Sequence, residues 1–288
     1  MTQETPADTD EQPGAAQAPR QDAPAGERPQ TEFVEALARG LAVLQAFDET
    51  HPEMALTEVA RRTGLRPATA RRSLHTLEAL GYVRQYNKRY VLAARVLTLG
   101  AAYLRAAHVD EALMPELRRL VSQFGDASSV AVLDGTNILY VAHCSEQRAA
   151  RPTAAIGATY PGYVTSMGRV LLSRLPPEAI EIYLAQLRPV KLTDHTETDI
   201  GKLRQILAEV RQQGYAVVVD QLDYGVTSLA VPIKDQSGRV VAAVNSSGYS
   251  GKLNAERLVQ ERLVELQRTA GRISQVFARY PALLHSIR

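Results

Sequence analysis

Between residues 66 and 76 the chain carries arginine, threonine and histidine side chains that a helix would bring onto one face. Pro67 suits the first helical position, because the N–H that proline lacks would have no partner there. Ala70, Leu74 and Leu77 then recur at intervals of four and three residues, as on a buried helical stripe. The opposite face has hydrogen-bond donors and no acidic group, which is the chemistry that binds phosphates and base edges of DNA. The candidates on this face are Arg66, Thr69, Arg71, Arg72, His75 and Thr76.

A shorter helix precedes this one and would support it from behind. Thr57 is its expected N-cap, Val59 and Ala60 point inward, and Gly64 supplies the permissive backbone that ends the helix. Two helices joined by such a tight turn are typical of the helix-turn-helix, in which the second helix enters the major groove. The basic helix is therefore the predicted recognition helix.

A β-hairpin is predicted directly after the recognition helix. Residues 82–86 and 89–92 have the composition of strands, and Asn87 with Lys88 makes a polar turn between them. The hairpin would form a wing, with Lys88 and Arg89 as further candidates for DNA contacts. Residues 56–95 hold nine arginines and lysines against two glutamates, a net charge of +7, whereas the whole chain has +2. Because neutralised phosphates release condensed cations, this concentration of charge favours DNA over the alternative of a solvated helix face.

The first 30 residues contain five of the fifteen prolines, no aromatic residue, and six acidic side chains against two arginines. Such a composition predicts a disordered acidic tail. From Phe33 onwards one helical stripe would pack behind the two DNA-facing helices, and it consists of Val34, Leu37, Leu41 and Leu44. A winged helix-turn-helix domain is therefore predicted over residues 31–93.

Residues 94–109 form a predicted linker helix with an apolar surface too broad for a solitary solvated helix. Its apolar positions are Val96, Leu97, Leu99, Gly100, Tyr103 and Leu104. One interpretation is that it packs against a second subunit, which would place two DNA-reading units side by side in a homodimer or tetramer. The alternative is burial against its own chain.

Helical and strand patterns alternate over residues 110–288, which predicts an α+β domain. A helix over 111–124 is followed by strands near 128–134 and 138–144. Further strands are expected over 215–220, 227–233 and 239–245. Two long amphipathic helices, expected to cover one face of this sheet, are marked by Leu203, Ile206, Leu207 and Val210 and by Leu258, Leu263, Leu266 and Ile273.

A ligand site is predicted at residues 157–177, where a loop rich in glycine and proline precedes Thr165, Ser166 and a helix that would run to Pro176. The N–H groups of a helix start point outward and carry partial positive charge, so they could bind a small carboxylate. An ordinary capped helix is the alternative. Tyr160 and Tyr163 would offer aromatic walls. Polar residues at two strand ends, and an arginine before the loop, could complete the pocket, namely Asp220, Gln221, Asn245, Ser247 and Arg148.

Several classes of protein are disfavoured. No apolar run approaches the roughly 18 residues of a membrane span, and the N-terminus lacks a signal sequence, so a cytoplasmic protein with no membrane partner is expected. One cysteine, Cys144, excludes an intramolecular disulfide. An enzyme using Cys144 and His143 is disfavoured, because neighbours in a strand point to opposite faces. A metal site formed by His143, Cys144 and a carboxylate such as Asp134 is not supported by any dense spacing of ligands, and no cofactor is predicted.

Four segments together resemble the IclR family of bacterial transcription regulators, over residues 31–280. They are FVEALARGLAVLQAF, LTEVARRTGLRPATARRSLHTLEALGYV, GATYPGYVTSMGRVLL and GYAVVVDQLDYGVTSLAVPIKDQSGRVVAAVN. The runs TSMGRVLL and ALARGLAVLQAF resemble in particular the branch that regulates aromatic-acid catabolism through the β-ketoadipate pathway, including protocatechuate and 4-hydroxybenzoate responders.

The resemblance implies an N-terminal winged helix-turn-helix, a linker helix that dimerises, and a C-terminal GAF-like effector-binding domain over residues 110–288. Its ligand would be a small aromatic carboxylate, and RNA polymerase is a further candidate partner. In the family the effector cavity is lined by stretches that correspond here to 160–166, 220–223 and 245–247, and Met167 completes the candidate set. This chain departs from its relatives at His143, Cys144, Gln221 and Tyr224. A DNA-binding repressor whose C-terminal domain only oligomerises, or binds a non-aromatic metabolite, is the alternative.

Overall fold

The computed structural model describes residues 32–146 and 155–287. The chain divides into two compact units, Met1–Leu99 and Gly100–Arg288. The division lies inside the stretch that the sequence predicts as a linker helix. The predicted tail over residues 1–30 and the candidate Arg148 lie outside the described residues.

The first unit is a winged helix-turn-helix, as the sequence predicts. Its antiparallel sheet has the order β1-β3-β2, so the predicted hairpin gains a third strand. That strand escapes prediction because its three residues are too short to show an alternating pattern. The elements are helices α1 (Glu35–Gln45), α2 (Leu56–Thr63) and α3 (Pro67–Ala79) and strands β1 (Glu53–Ala55), β2 (Val83–Tyr86) and β3 (Arg89–Leu92).

The turn residues act largely as their types predict. Gly64 ends α2 in the left-handed region with φ of 65°, and Asn87 and Lys88 have φ of 47° and 63° in the hairpin turn. The prediction of Thr57 as N-cap is wrong, because α2 begins at Leu56 with Ala55 in the cap position. Glu58 satisfies the helix start instead, since its carboxylate accepts the N–H of Ala55 at 2.7 Å.

The apolar stripe of α1 does not lie where the sequence places it. Val43 is fully buried in the core of the first unit, with Leu44 partly buried beside it. Val34, Leu37 and Leu41 of the predicted stripe instead expose 61, 64 and 48% of their surface. The helix is apolar on two faces. The face that contains Val43 is the one that packs behind α2 and α3. Periodicity shows that a stripe exists but not which partner covers it.

The second unit is built on a six-stranded antiparallel sheet with the order β6-β5-β4-β9-β8-β7. Its strands are β4 (Ala127–Asp134), β5 (Asn137–Ser145), β6 (Thr159–Pro161), β7 (Ala216–Val219), β8 (Val226–Lys234) and β9 (Val240–Tyr249). Helix α4 (Leu97–Ala106) begins just before the unit. The helices that follow are α5 (Val109–Ala112), α6 (Met114–Phe124), α7 (Ser166–Leu172), α8 (Pro177–Gln186), α9 (Ile200–Gln213), α10 (Ala255–Phe277) and α11 (Pro281–Ser286). The α+β class is as predicted.

The two long helices lie on opposite faces of this sheet, so the prediction that they share one face is wrong. Helix α10 packs with α5 and α6 over Leu229 and Val244, whereas α7 and α9 pack over Ala230 and Ala243. The central strands are therefore buried on both faces, and their continuous apolar runs hold no alternation to reveal which helix covers which face. In the described ranges no helix is long and apolar enough to cross a membrane. Helix α7 ends at Leu172, four residues before the predicted stop at Pro176.

Candidate functional site

Helix α3, the predicted recognition helix, presents its predicted donor face to solvent. Ala70, Leu74 and Leu77 are buried and hold the helix in the core of the first unit. Thr69 is half-buried, and the hydroxyl of Thr76 donates to the carbonyl of Arg72 at 3.0 Å. The exposed side chains of this face are Arg66, Arg71, Arg72, His75 and Thr76, and Lys88 is exposed at the tip of the wing.

Ion pairs divide the predicted DNA-binding cations into two groups. Within the described residues, Arg66, Arg71, Arg72 and Lys88 make no ion pair. Arg89 differs, because its guanidinium lies 2.9 Å from the Glu53 carboxylate and 3.0 Å from that of Glu58. It therefore ties the base of the wing to β1 and α2, and its charge is compensated inside the unit. The unpaired cations are the ones available to neutralise phosphates.

Arg84, which the sequence-based candidates leave out, is exposed on strand β2 of the wing. Within the described residues it makes no ion pair. Its position adds a cation to the same unit as the recognition helix. The signal for it was the local charge count over residues 56–95, which included Arg84 without assigning it a contact.

The second unit contains a cavity of about 70 Å³ between the sheet and α7. One water molecule needs roughly 10–15 Å³ of such space, so the cavity can take a larger guest. Five predicted effector residues line it, which are Thr165, Ser166, Met167, Asn245 and Ser247. Val164, Leu222 and Asp223 also line it and lie within the stretches 160–166 and 220–223 that the resemblance implies. The lining residues that sequence reasoning missed are Ser129, Tyr140, Val218, Val226 and Ser228.

Hydroxyl and amide groups form a continuous network in the cavity wall. Asn245 accepts the backbone N–H of Ser129 at 2.8 Å and donates to the Ser228 hydroxyl at 3.0 Å. The hydroxyls of Ser228 and Ser166 lie 2.8 Å apart, and all four residues are buried. The sheet supplies three of them, and α7 supplies Ser166. Serines inside otherwise apolar strands are the signal that could have revealed Ser129 and Ser228, because buried polar groups require partners.

One of the free N–H groups at the start of α7 is hydrogen-bonded by the helix's own N-cap residue, Thr165. Thr165 accepts the N–H of Gly168 at 3.1 Å, as the sequence predicts for a capped helix. Gly168 itself packs against Gly162, and a Cβ atom built on Gly168 would lie 2.2 Å from the Gly162 carbonyl oxygen. Glycine at this position therefore allows the loop to lie directly against the helix that borders the cavity.

Four of the predicted effector residues lie outside the cavity lining and have structural contacts instead. The Tyr163 hydroxyl donates to the carbonyl of Val190 at 2.8 Å, and Tyr160 packs edge-on against Tyr140. Asp220 accepts the N–H of Gly225 at 2.7 Å. Gln221 accepts from the Arg169 guanidinium at 2.5 Å. These contacts shape the loops around the cavity.

Arg169 is the buried cation that fixes the loop before α7. It exposes 3% of its surface, and its Nε donates to the carbonyl of Tyr163 at 2.8 Å. Burial lowers the pKa of its guanidinium to about 10. The side chain therefore remains charged at neutral pH and holds Tyr163 and Gln221 together behind the cavity.

His143 and Cys144 point to opposite faces of the sheet, as expected for neighbours in a strand. His143 is paired with Ser129 and Cys144 with Ser128 across β4 and β5, and Nδ1 of His143 lies 2.9 Å from the Ser129 hydroxyl. Burial lowers the pKa of His143 and raises the pKa of the Cys144 thiol. The pair is thus unsuited to nucleophilic catalysis. Over residues 32–146 and 155–287, no three histidine, cysteine or acidic side chains are grouped to hold a metal ion.

Both units match models of known protein families. Residues 36–86 match the model described as the IclR helix-turn-helix domain. Residues 101–275 match the model described as the C-terminal domain of the bacterial transcriptional regulator IclR. Together the two matches cover the DNA-facing unit and the unit that contains the cavity.

Individual relatives agree with the family models. The chain is 38% identical to the Pca regulon regulatory protein of Pseudomonas putida over 81% of this chain and 80% of the relative. It is 40% identical to a solved transcriptional regulator of Rhodococcus sp. RHA1, with a TM-score of 0.71 over 86% of this chain and 99% of the other. The inducer-binding domain of the Acinetobacter transcription factor PobR, solved as a double mutant with 3-hydroxybenzoic acid, is 27% identical, with a TM-score of 0.54, over 58% of this chain and 97% of the domain.

Proposed function

The chain belongs to the IclR family of bacterial transcriptional regulators, and we propose that it controls aromatic-acid catabolic genes by binding an operator with its first unit and a small aromatic carboxylate with its second. It is a regulator and not an enzyme. The observation that carries the proposal is the cavity lined by the buried network of Ser166, Ser228 and Asn245.

The proposed DNA contacts come from the exposed face of α3 and the tip of the wing. The side chains proposed to lie in the major groove are Arg71, Arg72, His75 and Thr76. There an arginine donates two hydrogen bonds to a guanine, and a threonine hydroxyl can donate to or accept from a base edge. Contacts at or near the phosphate backbone of the DNA are assigned to Arg66, Thr69 and Lys88. Such contacts set the register of the protein on the duplex. We assign Arg89 to holding the wing, because its ion pairs with Glu53 and Glu58 already compensate its charge.

The proposed effector is an aromatic carboxylate because the cavity combines hydroxyl groups with an apolar lining. Ser166 and Asn245 supply polar contacts, whereas Met167, Val218 and Leu222 offer apolar surface for a ring. Small-molecule sites typically combine a mostly apolar wall with a few placed polar groups. The 3-hydroxybenzoic acid in the PobR inducer-binding domain supports the same class of ligand here.

Self-association is the third part of the proposal. No residue of helix α4 is fully buried within the described chain, although Tyr103 and Leu104 pack partly buried against the core of the second unit. Leu97 and Leu99 instead expose 75 and 48% of their surface. Leu37 and Leu41 of α1 are also exposed. These apolar surfaces fit a homodimer or tetramer, which would present two recognition helices to a pseudo-palindromic operator. The ligand-controlled assembly would then recruit or block RNA polymerase.

A thermal-shift screen of the full chain against aromatic and dicarboxylic acids tests the effector part of the proposal. A ligand that binds only the folded state raises the melting temperature in proportion to the logarithm of its concentration. We expect stabilisation by an aromatic carboxylate. If no small acid stabilises the protein while it still binds its upstream intergenic DNA, the second unit serves oligomerisation instead.

A further inference from the structure

The orientation of the Asn245 amide in the cavity wall is fixed by its neighbours. A backbone N–H can only donate, so the atom that lies 2.8 Å from the Ser129 nitrogen is the amide oxygen. The amide nitrogen therefore donates to the Ser228 hydroxyl at 3.0 Å. It follows that the Ser228 oxygen accepts a hydrogen bond from Asn245.

Ser166 and Ser228 share one hydrogen bond but bring two hydroxyl protons. Their Oγ atoms are 2.8 Å apart, and either could be the donor. Whichever proton fills this bond, the other has no acceptor in the part of the chain that the structure describes. Ser166 exposes only 2% of its surface and Ser228 only 8%. The pair therefore offers one donor to the cavity, which a carboxylate oxygen can accept.

Ser129 lies in the same cavity wall and has a different partner. Its hydroxyl is 2.9 Å from Nδ1 of His143, which sits opposite it on the neighbouring strand. Burial lowers the pKa of His143, which favours the neutral form of its ring. With the ring proton on Nε2, Nδ1 would accept a hydrogen bond from the Ser129 hydroxyl, whose oxygen would then turn its lone pairs to the cavity.

We propose that His143, with its ring proton on Nε2, is a specificity-determining residue. By accepting a hydrogen bond from the Ser129 hydroxyl, it makes the cavity select an aromatic carboxylate that also carries a ring hydroxyl. The inference rests on the proposed function and names its ligand class more narrowly. The carboxylate of the ligand accepts a hydrogen bond from the free hydroxyl proton of the Ser166 and Ser228 pair. The ring hydroxyl of the ligand donates a hydrogen bond to the Ser129 oxygen. An acid without the hydroxyl leaves the Ser129 lone pairs buried and unpaired, and sites built to bind a hydroxyl reject such analogues.

Isothermal titration calorimetry on the full chain tests this inference with benzoate, 3-hydroxybenzoate and 4-hydroxybenzoate. We expect the better hydroxybenzoate to bind at least about tenfold tighter than benzoate, a factor that corresponds to one hydrogen bond of about 1.4 kcal/mol. In His143→Leu and in Ser129→Ala this ratio should fall towards one.

Two further variants separate the hydrogen bond from a general effect on packing. In His143→Asn the amide oxygen is the same number of bonds from Cα as Nδ1, so it can accept the Ser129 proton and should keep most of the preference. Cys144→Ala is the matched control, because this neighbour on the same strand points to the opposite face of the sheet. It should retain the wild-type ratio.

The outcomes distinguish the inference from the function on which it rests. A wild-type protein that binds benzoate as tightly as both hydroxybenzoates would overturn the inference and leave aromatic-acid binding in place. The same holds if Ser129→Ala and His143→Leu keep the wild-type ratio. If the wild type binds none of the three acids, the effector part of the proposed function fails for benzoates, and the role of His143 fails with it.

Discussion

Single residues decide what each unit can recognise. On α3 the exposed arginines make no ion pair with an acidic group of the described residues, whereas Arg89 on β3 is tied to Glu53 and Glu58. In the cavity, Ser166, Ser228 and Asn245 are buried polar groups that are linked to one another by hydrogen bonds. Residue type alone predicts neither which arginines are paired nor which polar groups form a network, because both depend on which strands are neighbours in the sheet.

Replacing Arg71 or Arg72 by alanine should weaken operator binding. A lost bidentate base contact costs about 1–3 kcal/mol, and a lost phosphate contact lowers the salt dependence by about one unit of slope. Fluorescence anisotropy over a salt series distinguishes the two. Arg268→Ala on α10 is the control, because this arginine is an exposed cation in the other unit. Unchanged affinity and salt slope in both α3 variants would show that this face does not touch DNA.

Replacing Ser166 by leucine should abolish the response to the effector while leaving DNA binding intact. The leucine side chain would occupy space in the small cavity and remove one end of the hydroxyl network. Calorimetry with the aromatic acids and gel shift with the operator measure the two properties separately. Retained effector affinity would place the ligand elsewhere in the molecule.

At the scale of elements, the close approach of the loop before α7 to the helix itself is the main structural constraint. Gly168→Ala would place a Cβ atom 2.2 Å from the Gly162 carbonyl oxygen, so helix and loop must separate. We expect a loss of more than about 2 kcal/mol in the free energy of unfolding, in the range of severe overpacking. Chemical denaturation monitored by circular dichroism measures it.

Gly271→Ala in α10 is the matched control for this effect. A Cβ atom at Gly271 meets nothing within 4 Å, and alanine is about 0.8–1.0 kcal/mol more favourable than glycine inside a helix. The variant should therefore be more stable than the wild type. Equal behaviour of the two glycine variants would mean that the contact between the loop and α7 is not a constraint.

The elements were predictable from sequence where one local pattern decides them. The stripe of Ala70 and Leu74, the glycine that ends α2 and the turn at Asn87 all lie where predicted. The burial of α1 and the placement of α9 and α10 were not predictable, because an apolar face does not identify its partner. Tyr163 and Gln221 lie in the correct loops, yet their side chains hold those loops together. Ser129 and Ser228 join the site only through strand pairing.

For the whole molecule, exposed apolar surface predicts self-association. Leu41→Glu on α1 places a charge on a side chain that exposes 48% of its surface, so the fold of the first unit should tolerate it. If that stripe is covered by a second copy, sedimentation velocity should show a shift towards the 31.5 kDa monomer. Val264→Glu, at an exposed position of α10, provides the comparison. A wild type that sediments as a monomer at micromolar concentration would contradict the proposed assembly.

Regulation requires that the effector and the operator favour related states of the whole assembly. A ligand with equal affinity for both states shifts neither, so the effector must bind one arrangement of the DNA-binding units better than the other. The same coupling free energy must appear when DNA affinity is measured with effector and when effector affinity is measured with DNA.

The most direct test is the affinity of the chain for its upstream intergenic DNA, measured by anisotropy with and without saturating hydroxybenzoate at several salt concentrations. The account predicts sequence-preferring, salt-sensitive binding whose affinity changes at least about fivefold when the acid is added, since coupling free energies are typically about 1–3 kcal/mol. DNA binding that is identical with and without every aromatic acid, or an absence of any preference for that DNA, would contradict it.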